Sequence, residues 1–141
     1  MDEGHTGRTV DYTYDAIYRL TEEEITDGGT RAITYTYDAV GNRLTRQDTG
    51  GDDVTYTYDD NDRLLTENGT TYTYDDNGNL VRKQGAGVDT AYTYDARNRL
   101  TNVDDGTDFA DFVYDVDGHR VRATKNATDV RNYLIDKNRT F

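Results

Sequence analysis

The chain has 141 residues, of which 33% are hydrophobic, with 13 Tyr and 3 Phe, and it carries a formal net charge of −12. That acidity excludes direct nucleic-acid binding, since phosphates would be repelled. The absence of Cys excludes disulfides, thiolate catalysis and cysteine zinc sites.

The N-terminal stretch Met1-Asp2-Glu3-Gly4-His5 has neither a basic region nor an apolar run, so no signal peptide is expected. No segment approaches the ~20 apolar residues of a membrane span, so no membrane insertion is expected. Residues 1–9 read as a flexible lead, 10–124 as a repeat array, and 125–141 as an atypical last repeat or connecting segment. No Pro and no Ser-rich linker interrupts the array, which reads as one structural domain.

A Tyr-x-Tyr-Asp box recurs along the chain. Its copies are Tyr12/Tyr14/Asp15, Tyr35/Tyr37/Asp38, Tyr56/Tyr58/Asp59, Tyr72/Tyr74/Asp75 and Tyr92/Tyr94/Asp95. A sixth reads Phe112-Val113-Tyr114-Asp115, and a weaker seventh reads Tyr133-Leu134-Ile135-Asp136. Box starts are 23, 21, 16, 20, 20 and 21 residues apart. Alternation of Tyr with Thr has the two-residue period of a half-buried strand, and both residues favour strands.

Four or five residues after each Asp comes Arg-Leu or a variant: Arg19-Leu20, Arg43-Leu44, Arg63-Leu64, Asn79-Leu80, Arg99-Leu100 and Arg120-Val121. Between lie turn formers such as Gly41-Asn42, Asn61-Asp62, Asn77-Gly78 and Asp117-Gly118. The unit therefore reads strand, tight turn, strand, looser return turn. Six units predict about twelve strands in an antiparallel meander. Only Glu22-Glu23-Glu24-Ile25 and Thr128-Asp129-Val130-Arg131 hint at a helical turn.

The motif Tyr35-Thr36-Tyr37-Asp38-Ala39-Val40-Gly41-Asn42-Arg43-Leu44-Thr45 resembles the RHS or YD repeat, and the resemblance covers about Val10 to Asp136. It implies an all-β fold whose hairpins curl or spiral as a segment of a hollow shell. In the family such shells enclose a toxic domain in RHS toxins and toxin complexes, and support adhesion in teneurins; glycan binding has also been attributed to them. Two departures bear on this chain. A closed shell takes many more than six repeats, and the self-cleaving core that follows the array in RHS toxins is absent. Asn138-Arg139-Thr140 also stands where the family has Asn-Pro-Thr-Gly.

A residue repeated in every unit answers a packing problem that every unit shares. The box aspartates are thus expected to cap turns, with the following arginines (Arg19, Arg43, Arg63, Arg99, Arg120) on the opposite strand, pairing with the Asp of their own or of the next unit. Oxygen-rich turns make Asp59, Asp62, Asp75, Asp115 and Asp117 weak calcium candidates, although none matches a helical calcium loop. Neither His5 nor His119 has a second His or a Cys near it in the sequence, so a zinc or acid–base role is not expected. With no Ser, no Cys and no phosphate-cradling Gly motif, neither catalysis nor a cofactor is expected. Asn68, Asn126 and Asn138 begin Asn-x-Thr sequons, glycosylation acceptors if the protein is exported.

These readings imply a non-enzymatic scaffold, either a shell-wall segment or a self-assembling protomer of a surface or toxin-associated protein. The alternative is an extracellular glycan-binding or adhesion module. The expected partners are other repeats of the same or a longer chain, a homo-oligomer or filament, and glycans, at an extracellular or cell-surface location. The 23 Asp against 5 Glu, and 13 Arg against 3 Lys, suit a halophilic source, where salt screens self-repulsion.

Overall fold

A computed structural model describes residues 7–85 and 87–133. Every described element is a β-strand, and within each of the chain's two units consecutive strands pair antiparallel. The chain divides into two compact units, Met1–Asn68 and Gly69–Phe141.

The first unit holds β1 (Thr9–Tyr14), β2 (Leu20–Thr26), β3 (Thr30–Tyr37), β4 (Arg43–Asp48), β5 (Val54–Tyr58) and β6 (Leu64–Glu67). The second holds β7 (Thr70–Tyr74), β8 (Leu80–Gly85), β9 (Val88–Tyr94), β10 (Leu100–Asp104), β11 (Phe109–Tyr114), β12 (Arg120–Lys125) and β13 (Asp129–Asn132). Each unit is an antiparallel meander built from the repeat. Odd-numbered strands carry the Tyr box and even-numbered strands follow its turn.

β1 starts at Thr9, one residue ahead of the expected array. The two segments that hinted at helix are strands. Glu22–Ile25 lies in β2, paired to β1 on one side and β3 on the other. Asp129–Arg131 lies in β13, paired to β12. A single helical turn forms one hydrogen bond per turn fixed, whereas the ladder satisfies every second backbone group on each side, so pairing overrides local propensity.

Each hairpin has the same irregularity. The ladder shifts by one residue just before the second aromatic, as between Thr13 and Tyr14 or Val113 and Tyr114. The shift inserts a β-bulge, which sharpens local twist. Tyr14, Tyr58, Tyr74 and Tyr94 consequently face Leu20, Leu64, Leu80 and Leu100.

Burial is sparse. Among the described residues, Ile33 (7% exposed) and Tyr56 (8%) are the buried apolar side chains. The other box tyrosines from Tyr35 to Tyr114 are half-buried, and the threonines between them face outward. On that outward face Thr36 and Thr45, and Thr57 and Thr66, join hydroxyls across the strands at 2.6 Å. One glycine has a steric role: a Cβ on Gly85, at φ +130°, would lie 2.4 Å from the Gly69 carbonyl oxygen.

Candidate functional site

The repeated charges converge on the hairpin turns. Counting from the box Asp, the fourth residue closes each turn: its carbonyl accepts the Asp N–H in all six copies, at 2.9 to 3.0 Å. One Asp carboxylate oxygen accepts backbone N–H groups from inside the turn. Asp15 Oδ1 accepts from Ile17 and Arg19, and Asp95 Oδ1 from Arg97 and Arg99. The other oxygen accepts from the side chain at the fourth position. That donor is Arg Nε at Arg19, Arg63 and Arg99 (2.6 to 2.7 Å), and the Asn amide at Asn42 and Asn79. In the sixth turn the fourth position holds His119, whose Nδ1 stands 3.4 Å from an Asp115 carboxylate oxygen.

These donors hold Asp15, Asp38, Asp59, Asp75 and Asp95 below the ordinary carboxylate range. For Asp15, Asp59 and Asp95 the largest influence is the backbone N–H of the fourth residue; for Asp75 it is the Asn79 amide. At Asp38 burial pushes upward, but donors from Asn42, Gly41 and Val40 outweigh it.

The third position of every turn has positive φ. It holds Gly41, Asp62, Gly78, Asn98 and Gly118, and in the first turn Tyr18 at φ +64°. Gly, Asn and Asp tolerate this conformation, whereas a bulky side chain is strained there. Tyr18 is also 88% exposed, so no packing compensates.

Consecutive hairpins are stitched by the same residues. Arg19 Nη1 donates to the Asp38 carbonyl at 3.0 Å, and Arg99 Nη1 to the Asp115 carbonyl at 3.2 Å. Their guanidinium groups cover the rings of Tyr37 (4.8 Å) and Tyr114 (4.7 Å). In return, the second tyrosine of a box donates its hydroxyl to the preceding even strand: Tyr37 to Leu20 O, Tyr58 to Arg43 O, Tyr114 to Leu100 O.

Two arginines depart from the expected pairing. Arg43 and Arg120 stand five residues after their Asp, not four, and fill the slot that Leu takes elsewhere, facing Tyr37 and Tyr114. There they lie between rings: Arg43 over Tyr35 and Tyr56, with Nη2 donating to the Tyr56 hydroxyl at 2.9 Å, and Arg120 over Phe112 and Tyr133. The offset is countable in the sequence. It was masked by the likeness of the Arg-Leu pairs.

A second charged cluster carries no repeat signal. Asp48, whose side chain is wholly buried, accepts from Arg31 Nε at 2.7 Å and from Gly50 N at 3.0 Å. Its other oxygen takes Arg31 Nη2 and Arg46 Nη2. The Arg31 contact, assisted by Gly50 and Arg46, holds the Asp48 carboxyl far below its ordinary value.

Of the calcium candidates, Asp59 and Asp75 direct both oxygens to their own turns, and Asp62 accepts from the Asn42 amide. Asp115 and Asp117 bring one oxygen each to within 4.8 Å of a His119 nitrogen. Among the sequons, Asn68 is exposed, whereas the Asn126 side chain bonds Asp108 and the Phe109 N–H. His5, Asn138 and the Leu134-Ile135-Asp136 part of the seventh box lie outside the described residues.

The Teneurin YD-shell family profile matches residues 3–137. The chain belongs to the teneurin YD-shell family. The fold is similar to part of the crystal structures of TcdB2-TccC3-Cdc42, TcdB2-TccC3 and TcdB2-TccC3-TEV. Their TM-scores are 0.66, 0.65 and 0.61, at 18%, 17% and 18% identity, over 91%, 82% and 90% of this chain. The YD-shell segment here spans only 9%, 8% and 8% of those much longer chains. No curated protein matches the chain.

Proposed function

We propose that this chain is a non-enzymatic wall segment of a YD shell in a surface or toxin-associated protein. One observation carries the reading: the repeated charges are consumed in closing turns and joining consecutive hairpins. Arg99 alone binds its own Asp95, the next unit's Asp115 carbonyl and the Tyr114 ring. Groups committed in this way are architecture, and a wall needs this and little else. The test is a chimera in which residues 7–133 replace the corresponding hairpins of a matched shell. The reading expects a closed particle by cryo-electron microscopy; an open or collapsed one overturns it.

A second reading, an extracellular glycan or adhesion module, is favoured by Tyr12 and Tyr14, each 54% exposed, since such rings offer stacking faces. A glycan array on the purified chain separates the two, because the wall reading expects no saturable binding. On export, Asn68 would be the more accessible glycan acceptor of the two described sequons. A halophilic source accounts for the −12 charge, and a melting temperature unchanged between low and molar salt would remove that part of the proposal.

A further inference from the structure

The sequence holds two Asn-Gly pairs, Asn68-Gly69 and Asn77-Gly78. An asparagine before glycine is open to attack by its own backbone. The glycine nitrogen, which no side chain shields, reaches the asparagine Cγ when the peptide between them rotates. Both pairs are exposed, so water and base reach each of them. Their hydrogen bonding differs.

Asn77-Gly78 is clasped by Asp75. The attacking nitrogen, Gly78 N, donates to the Asp75 carbonyl at 3.0 Å, and Asn77 N donates to Asp75 Oδ1 at 3.0 Å. Asn79 closes the far side, its N–H and its amide both bonded to the same carboxylate. Rotating the Asn77-Gly78 peptide takes Gly78 N off its acceptor and opens the turn.

Asn68-Gly69 joins β6 to β7 and has no such clasp. Asn68 is held at one point, its N–H on the Thr55 carbonyl at 3.0 Å. Among the described residues, the Asn68 amide, the Asn68 carbonyl and the Gly69 N–H have no hydrogen-bond partner. No atom beyond the chain neighbours comes within 4 Å of a Cβ placed on Gly69. Asn68 stands at φ +45° and Gly69 at φ +83°. A positive φ at the first of two turn residues serves the I′ and the II′ turn alike, and these two differ by a flip of the peptide between the residues. Glycine accepts either sign of φ, so that flip leaves the Asn68–Thr55 bond intact.

We propose that Asn68 is a site of spontaneous deamidation, and that Asp75 withholds Asn77 from the same reaction. Gly69 N bonds to the Asn68 Cγ, and the side-chain nitrogen leaves as ammonia, carrying the proton that Gly69 N gives up. Water then opens the succinimide at either carbonyl, leaving aspartate or isoaspartate at position 68. Water is the sole co-reactant. Each product adds a negative charge to a chain already at −12 and removes the Asn-Gly-Thr sequon. Isoaspartate also routes the main chain through the side-chain carbon and so lengthens the link between Glu67 and Thr70.

This inference stands apart from the wall reading. The test is peptide mapping by mass spectrometry of the full chain, aged in mildly alkaline buffer with and without denaturing urea, and of the Asp75→Ala variant. In the folded chain Asn68 is expected to deamidate at least about tenfold faster than Asn77, the factor that breaking one turn hydrogen bond imposes on a rate. In urea the two rates should converge, because the dipeptides are identical. In Asp75→Ala the Asn77 rate should rise severalfold while the Asn68 rate holds. An unmodified Asn68, equal rates in the folded chain, or a difference that survives in urea would overturn the proposal. An unchanged Asn77 rate in an Asp75→Ala chain that keeps its β circular-dichroism spectrum would remove the protective role of Asp75. If that variant does not fold, the urea comparison alone decides whether structure protects Asn77.

Discussion

The guanidinium of Arg99 lies 4.7 Å above the Tyr114 ring while its Nε holds Asp95 at 2.7 Å, so one side chain closes its own hairpin and grips the next. Replacing it should therefore cost more than an ordinary surface ion pair, whose median is about 0–1 kcal/mol. Arg99→Ala is expected to lower unfolding free energy by about 2 kcal/mol, measured by urea denaturation. Arg99→Asn restores the amide clasp that Asn79 makes at the same slot and should recover about half of it. Equal losses for both variants would show that the clasp contributes nothing.

Tyr18 occupies a left-handed turn position that five other turns give to Gly, Asn or Asp. Tyr18→Gly should raise stability by roughly 0.5–1 kcal/mol, since relief of the strained φ exceeds the entropy glycine adds to the unfolded chain. Thermal melts of the two proteins check it, and a lower melting temperature for the variant would contradict it.

Asp48 joins Arg31 and Arg46 at the β3–β4 end. Asp48→Ala leaves two guanidinium groups facing each other without their anion and strips the Gly50 N–H of its acceptor. The melting temperature should fall by roughly 10 °C. Asp48→Asn keeps the shape and loses the charge, and should fall less. The far-UV spectrum of both variants should stay β.

The turn aspartates set the acid limit. Asp15, Asp59, Asp75 and Asp95 titrate below the ordinary value of 3.8 in the folded chain. A carboxylate depressed by folding adds stability that is complete above its unfolded pKa and is lost as pH falls through the folded one. Stability should be level from neutrality to about pH 5 and drop steeply below about pH 4. Asn substitution at Asp15 and Asp95 should flatten that drop while lowering the plateau. An unchanged acid midpoint would show that other groups govern it. At the alkaline end, burial raises the Tyr35, Tyr58 and Tyr94 hydroxyls above 10. Their share of stability is therefore present below pH 10 and is lost above it.

The sequence by itself determined the hairpin. A strand of alternating Tyr and Thr, an Asp, and a donor four residues later specify a local structure, because every partner in the turn lies within five residues and needs no distant chain. The same locality makes the open slot at the third turn position readable for Gly, Asn and Asp, and makes Tyr18 stand out among them.

Only the tertiary structure decided how hairpins use their side chains between units. Arg19 and Arg43 precede leucines in the same way, yet one fourth-position residue clasps an aspartate and the other, one step later, lies between Tyr35 and Tyr56. Strand pairing turns that single step into a change of role, since one residue of register moves a side chain between the turn and the ring face. The Asp48 cluster was equally out of reach, because Arg31, Arg46 and Asp48 meet through pairing of β3 with β4 and not through spacing. Glu22–Glu24 likewise became strand because two neighbours stood ready to pair with it.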